Sequence, residues 1–88
     1  MHIMRSISTK TSSVRERDIK ITYNLIFRNA LYSLECIKES GREENPNDYC
    51  LAENITDDET EAEIFLHQVA KGKVFPVHIK DLVEDYFN

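Results

Sequence analysis

Residues 54–88, NITDDETEAEIFLHQVAKGKVFPVHIKDLVEDYFN, contain the start and stop signals of two short helices. The segment Thr56-Asp57-Asp58-Glu59 matches a capping box. In this motif the Thr side chain accepts a hydrogen bond from a backbone N–H in the first turn, and the side chain of a Glu three residues later accepts one from the backbone N–H of the Thr. Gly72 is placed to end the first helix, and Pro76 is placed to begin the second with its φ already set. These signals predict helices at about 57–71 and 76–86.

Each predicted helix carries one apolar stripe, because its apolar residues recur every three or four positions. Acidic residues crowd the N-terminal half of the first helix, where the helix dipole favours anions, and Lys71 stands at its opposite end. Both helices are therefore predicted to pack one face against a core. The stripe residues are Ala62, Phe65, Leu66, Val69 and Ala70 in the first helix, and Ile79, Leu82, Val83 and Tyr86 in the second.

The residues before this stretch alternate apolar and polar side chains, which is typical of half-buried strands. We predict strands at about 19–27, 31–38 and 48–54, with a hairpin turn at Asn29-Ala30. That turn sets the register, and all the apolar partners then point to one face of the sheet. The predicted pairs are Phe27–Tyr32, Leu25–Leu34, Tyr23–Cys36, Lys38–Asp48, Cys36–Cys50 and Leu34–Ala52.

These elements predict an α+β domain of order β-β-β-α-α, a three-stranded antiparallel meander covered on one face by two C-terminal helices. Residues 1–17 are rich in Ser and Thr and have scattered apolar side chains, so we predict a disordered tail there. Residues 18–88 are predicted to form a single domain, since a chain of 88 residues has room for one small core.

Charge is divided unevenly along the chain. Residues 1–17 have four Lys and Arg against one Glu, whereas residues 18–88 have seven Lys and Arg against fifteen Asp and Glu. The acidic body argues against direct binding of nucleic acid, because phosphates need clustered cations. There is no apolar run long enough for a membrane span and no apolar core of a signal peptide. We therefore expect a cytoplasmic protein.

Cys36 and Cys50 are predicted to oppose each other as reduced, buried thiols that pack like small apolar side chains. An oxidisable pair and a metal site remain as alternatives. The chain has no CxxC spacing, and His67 and His78 have no ligand cluster around them in the sequence. We expect no metal and no cofactor.

Sequence patterns of catalysis are also missing. There is no GxSxG, no HExxH and no Gly-rich phosphate loop in a chain with two glycines. We therefore do not expect an enzyme. If the chain is one, the best candidate is His78 with Asp81 or Asp85, because the three residues can share one helix face and form an acid–base pair.

Two surfaces are predicted to be available for partners. Apolar residues on the sheet face away from the helices would mark an interface if they cluster; these are Ile26, Ile37, Tyr49 and Leu51. The second surface is the acidic start of the first helix, formed by Asp57, Asp58, Glu59, Glu61 and Glu63. We expect a small module that binds a protein partner, which includes a second copy of the chain. The alternative is an acidic regulator that occupies a basic surface, as an inhibitor or a nucleic-acid mimic.

The segment from Tyr49 through the acidic helix to the Pro-x-His-x-x-Asp pattern of the second helix resembles a small family of clostridial-type Firmicutes proteins without an assigned function. The resemblance covers about residues 19–87. It implies no activity, and it makes Pro76, His78, Asp81 and Asp85 the first positions to mutate.

Overall fold

The computed structural model describes residues 5–14, 19–39 and 48–87. The chain forms a four-stranded antiparallel sheet in the order β1-β2-β3-β4, followed by two helices. The elements are β1 (Arg5–Val14), β2 (Ile19–Arg28), β3 (Leu31–Glu39), β4 (Tyr49–Thr56), α1 (Glu59–Lys71) and α2 (Pro76–Phe87). Neither helix in this described part of the chain has the length and apolar character needed to cross a membrane.

The sheet has one strand more than the three predicted, because β1 falls within the segment 1–17 that we expected to be a disordered tail. β1 pairs with β2 from Arg5 opposite Phe27 to Val14 opposite Ile19, with one irregularity. Pairing of this kind is made by backbone N–H and C=O groups, so it needs no apolar pattern in the paired strand. The remaining residues of the predicted tail lie outside the described residues.

The predicted register of β2, β3 and β4 is confirmed. Tyr23 faces Cys36, Cys36 faces Cys50, and the other predicted apolar pairs also form. The β2–β3 hairpin turns on Asn29 and Ala30, whose φ angles of 54° and 65° are those a type I′ turn requires. The predicted partners Lys38 and Asp48 form an ion pair, with 3.0 Å between Nζ and Oδ1.

β4 continues past its predicted end at 54 and contains an irregularity. Tyr32 faces Thr56 while Leu34 faces Ala52, so the β4 residues between these pairs oppose Ser33 alone. Asn54 has a φ of 54° there. Its backbone N–H donates to the Ser33 hydroxyl at 2.9 Å. The buried Ser33 side chain therefore replaces a strand-to-strand bond where the ladder is interrupted.

α1 begins two residues later than predicted. Its N-cap is Asp58, whose carboxylate accepts the Glu61 backbone N–H at 3.0 Å. The Thr56 hydroxyl, predicted to cap the helix, instead accepts the Asp58 backbone N–H at 3.1 Å. The cap moves because β4 extends to Thr56 and the chain needs two further residues to turn into the helix.

Gly72 caps the C-terminal end of α1, as predicted, but the residue with the left-handed backbone conformation is the next one, Lys73. The backbone N–H groups of Lys73 and Val74 donate to the carbonyls of Ala70 and Val69 at 3.2 and 3.1 Å. This is a Schellman motif, in which the residue after the cap has a positive φ. Lys73 has a φ of 51°, whereas Gly72 has a φ of −80°.

The core lies between one face of the sheet and the two helices. α1 contacts all four strands, and α2 lies against β3 and β4. Tyr23 is fully buried at the centre of the sheet, and its hydroxyl donates to the Val74 carbonyl at 2.8 Å. This bond joins the α1–α2 connection to the sheet. The other fully buried large side chains are Ile21, Leu25, Leu34, Cys36, Leu66, Val69 and Ile79.

Candidate functional site

An open groove runs along the outer edge of β4, which among the described residues has a paired strand, β3, on one side only. An edge strand directs half of its N–H and C=O groups away from the sheet, where another strand can pair with them. β4 forms one wall of the groove, and the start of α2 forms the other. We call this concavity of about 390 Å³ the β4 groove; it is lined by Tyr49, Cys50, Leu51, Pro76, Val77 and Lys80.

The rim of the β4 groove carries the two most exposed large apolar side chains of the described residues. Val77 is 55% exposed and Tyr49 is 51% exposed. Two further lining residues are less exposed, since Leu51 is half-buried and Pro76 is buried. Isolated exposed apolar residues are common on protein surfaces, but a cluster of them around a concavity marks an interaction site.

Hydrogen bonds across the sheet hold Tyr49 at the rim. Its hydroxyl donates to one carboxylate oxygen of Glu35 at 2.9 Å, and the Asn24 amide donates to the other oxygen at 2.9 Å. Partial burial and this bond to Glu35 raise the pKa of Tyr49 above its ordinary value. The ring therefore has a preferred position before any partner arrives, which reduces the entropy lost on binding.

Lys80 supplies the positive charge of the β4 groove, and it is exposed on α2. Burial raises the pKa of the nearby Cys50 thiol, and the Lys80 charge lowers it by a smaller amount. Burial and the facing Cys50 raise the pKa of Cys36 to about 12. Both cysteines are free; Cys36 is buried as predicted, whereas Cys50, predicted to be buried, is half-buried at the edge of the sheet. At neutral pH they are protonated and poorly nucleophilic.

A smaller concavity of about 120 Å³ adjoins the β4 groove through Leu51, which lines both. It lies on the sheet face away from the helices, at the β4 irregularity. Its lining residues are Ile26, Arg28, Ser33, Leu51, Glu53 and Asn54.

The four predicted interface residues differ in position and exposure. Tyr49 and Leu51 line the β4 groove, and Ile37 lies opposite Tyr49 across β3 and β4, with its side chain half-buried. Ile26 is buried, at 4% exposure. Sequence reasoning missed Val77, although an apolar residue outside the α2 stripe was a signal that could have identified it.

The predicted acidic residues lie near one another at the start of α1, and two of them, Asp58 and Glu61, accept hydrogen bonds from within the protein. Asp58 caps the helix, and Glu61 accepts a hydrogen bond from the Tyr86 hydroxyl at 2.8 Å. Burial raises the pKa of Tyr32, and the charges of Glu59, Glu63 and Asp58 raise it further. The negative potential of this cluster therefore reaches the sheet. Asp57, Asp58, Glu59 and Glu61 are exposed and Glu63 is half-buried.

His78, Asp81 and Asp85 are exposed on α2, and His67 is exposed on α1. Neither of the two concavities described above has any of them in its lining. Within residues 5–14, 19–39 and 48–87, no three His, Cys, Asp or Glu side chains are grouped so that they could hold a metal ion.

The chain matches the model of a family described as "Family of unknown function (DUF6514)" over residues 3–88. The chain belongs to this family. The DUF6514 match includes β1, so it extends further towards the N-terminus than the resemblance found in the sequence. Neither the curated proteins nor the solved structures contain a significant match to the chain.

Proposed function

We propose that this protein is a small interaction module that binds an extended protein segment along the outer edge of β4. The observation that carries the proposal is the β4 groove, in which an edge strand and the two most exposed large apolar side chains, Tyr49 and Val77, occur together. In strand addition, an extended peptide pairs with the exposed edge of a sheet. Backbone hydrogen bonds then supply the affinity, and pockets for alternate side chains supply the specificity.

The chemistry of the groove indicates which segments fit. Tyr49, Leu51 and Val77 offer apolar contact area, while Lys80 favours a carboxylate on the bound segment. A segment with an apolar residue flanked by Asp or Glu would satisfy both requirements. The proposal includes a cytoplasmic location, which the free thiols of Cys36 and Cys50 support because such pairs persist in a reducing compartment.

Selection of binders from a random peptide library with the purified protein tests this function. Selected peptides should contain an apolar residue next to an acidic one and should lose binding to a Val77→Glu variant. Ile64→Glu is the matched control, because Ile64 is also an exposed apolar residue, at 40%, but lies on α1. Peptides that bind all three proteins equally would contradict the proposed site.

Backbone amide exchange provides a second readout of the same complex. Strand addition should slow exchange in β4 when a selected peptide is bound, because the outward N–H groups become hydrogen-bonded. Protection confined to α1 or β1 would place the peptide elsewhere and would argue against the β4 groove.

The acidic cluster supports a second candidate function, the regulator that occupies a basic surface. The pKa of Tyr32, which burial raises and the charges of Glu59, Glu63 and Asp58 raise further, supports this candidate because the three charges act on the same side chain. Binding to a basic probe peptide should then weaken steeply with added salt. A Glu59→Gln, Glu63→Gln variant should lose this binding, and salt-independent binding would count against it.

A further inference from the structure

We infer that the smaller concavity, on the sheet face away from the helices, binds a free α-amino acid with a short side chain. This concavity has a volume of about 120 Å³ and lies where the pairing of β3 and β4 is irregular. Such a ligand is a small molecule, so this site is independent of the β4 groove and of the protein segment proposed to bind there.

The most buried part of the concavity combines an apolar and a polar side chain. Ile26 of β2 and Ser33 of β3 lie opposite each other and are 4% and 7% exposed. Leu51 of β4 is half-buried and adds apolar lining. Binding sites for small molecules have this composition, in which a mostly apolar lining carries a few placed polar groups.

The Ser33 hydroxyl has an unused hydrogen-bond donor. Its oxygen accepts the Asn54 backbone N–H at 2.9 Å, and this is the one hydrogen bond of the Ser33 side chain within residues 5–14, 19–39 and 48–87. A serine hydroxyl can accept hydrogen bonds and also donate one. Because a buried donor without an acceptor is costly, the Ser33 proton is available to a ligand in the concavity.

Two opposite charges lie on either side of this hydroxyl. Arg28 is on β2 and Glu53 is on β4, the two neighbours of β3, and both line the concavity with exposed side chains. Two strand spacings, about 10 Å, separate their backbones across the sheet. In the part of the chain that the structure describes, neither Arg28 nor Glu53 forms an ion pair. Each charge can therefore accept a ligand group of opposite sign.

This arrangement of charges selects among classes of ligand. A simple anion would suit Arg28 and Ser33 but would be repelled by Glu53, and a simple cation would be repelled by Arg28. In an α-amino acid, the carboxylate accepts from the guanidinium and from the Ser33 hydroxyl, while the ammonium donates to the Glu53 carboxylate. Every charged group in the site then has a partner.

The volume limits the size of the amino acid. About 120 Å³ corresponds to about four water molecules at their share of liquid volume. Glycine, alanine and serine are of this order of size, whereas longer side chains would extend into solvent. The apolar lining from Ile26 and Leu51 favours a methyl group, so alanine is the probe of choice.

Titration of the isotope-labelled full chain with L-alanine at fixed ionic strength, followed by NMR, tests the site. We expect saturable shifts of the backbone amides of Ser33, Glu53 and Asn54, with a millimolar dissociation constant, a strength within reach of a ligand of so few atoms. Propionate lacks the ammonium and ethylamine lacks the carboxylate, so each should bind about tenfold more weakly than alanine.

Neutral variants identify the two charged groups. Arg28→Gln and Glu53→Gln should each weaken alanine binding about tenfold, whereas Glu53→Gln should strengthen propionate binding because it removes a repulsion. Lys20→Gln and Glu39→Gln are the matched controls, since these exposed charges oppose each other at the far end of the same sheet face. Both controls should bind alanine as the wild type does. All four side chains are exposed, so the variants should remain folded, which circular dichroism verifies.

Three results would overturn the inference. The first is a wild-type chain that gives no saturable shifts at alanine concentrations far above the millimolar range. The second is propionate binding as tight as that of alanine, which would indicate an anion site without selection for an amino acid. The third is alanine binding that is unchanged in both Arg28→Gln and Glu53→Gln, because the ligand would then lie elsewhere on the chain.

Discussion

The β2–β3 turn gives a direct test of the strand register on which the β4 groove depends. Asn29 and Ala30 have φ angles of 54° and 65°. The left-handed region costs a residue with a Cβ about 1–2 kcal/mol, a cost that Asn tolerates better than other residues. Ala30 is therefore in a strained conformation that glycine would adopt freely. We predict that Ala30→Gly stabilises the protein.

The size of the effect follows from two opposing terms. Relief of the left-handed strain contributes about 1–2 kcal/mol, and the greater freedom of glycine in the unfolded chain costs about 0.4–1 kcal/mol. Ala30 is exposed, so no packing is lost. The two terms differ by about 0–1.6 kcal/mol, so we expect the free energy of unfolding to rise by about 0.8 kcal/mol, which corresponds to about 3–6 °C in the melting temperature of a domain of this size.

Urea denaturation of the wild type and Ala30→Gly measures this difference. Ala70→Gly is the matched control, because Ala70 lies in the last turn of α1. There the same substitution should destabilise by about 1 kcal/mol, since glycine has a poor helix propensity. If Ala30→Gly is less stable than wild type, the turn does not have two left-handed residues, and the register derived from it would be refuted as well.

Three further changes test other parts of the structure. Lys73→Gly should raise the free energy of unfolding by about 0.5–1 kcal/mol, because Lys73 has a φ of 51°; an unchanged urea midpoint would contradict this. Tyr23→Phe should lower the free energy of unfolding by about 1–2 kcal/mol, because the Val74 carbonyl loses its 2.8 Å hydrogen bond from the Tyr23 hydroxyl. A stability equal to wild type would show that this hydrogen bond contributes nothing. Burial raises the pKa of Cys36 from 9.0 to about 12, so the native state retains a proton that the unfolded chain releases. Stability should therefore hold below pH 9 and fall between pH 9 and 12, by at most about 1.4 kcal/mol per pH unit for this group. This loss of stability with pH should be shallower in Cys36→Ala. Equal slopes of stability against pH in the two proteins would contradict the raised pKa of Cys36.

Local patterns account for the parts of the fold that were predicted correctly. The period-two alternation and the Asn29-Ala30 turn were sufficient to place Tyr23 opposite Cys36 and Cys36 opposite Cys50. Side chains alternate strictly along a strand, so a slip of one residue would have exposed the whole apolar set. The apolar stripes of α1 and α2 were predicted for the same reason, because helical spacing is local.

The errors occurred where a residue's conformation depends on a distant neighbour. β1 has a polar composition, and its pairing depends on the backbone edge that β2 offers. The N-cap moved from Thr56 to Asp58 because β4 follows β3 further than its alternation indicated. The Ser33–Asn54 bond that accompanies this extension joins residues on two strands and has no local signature.

The candidate site also depends partly on local sequence patterns and partly on contacts between distant elements. Tyr49 and Leu51 were recognised from the sequence as apolar residues on the outer sheet face, because alternation alone assigns them to it. Val77 and Lys80 became part of the site only when α2 packed beside β4. The sequence by itself therefore determined the strand register, the helix faces and one wall of the groove. The tertiary structure decided the edge order of the sheet, the burial of Ile26 and the second wall, since these depend on contacts between elements far apart in the chain.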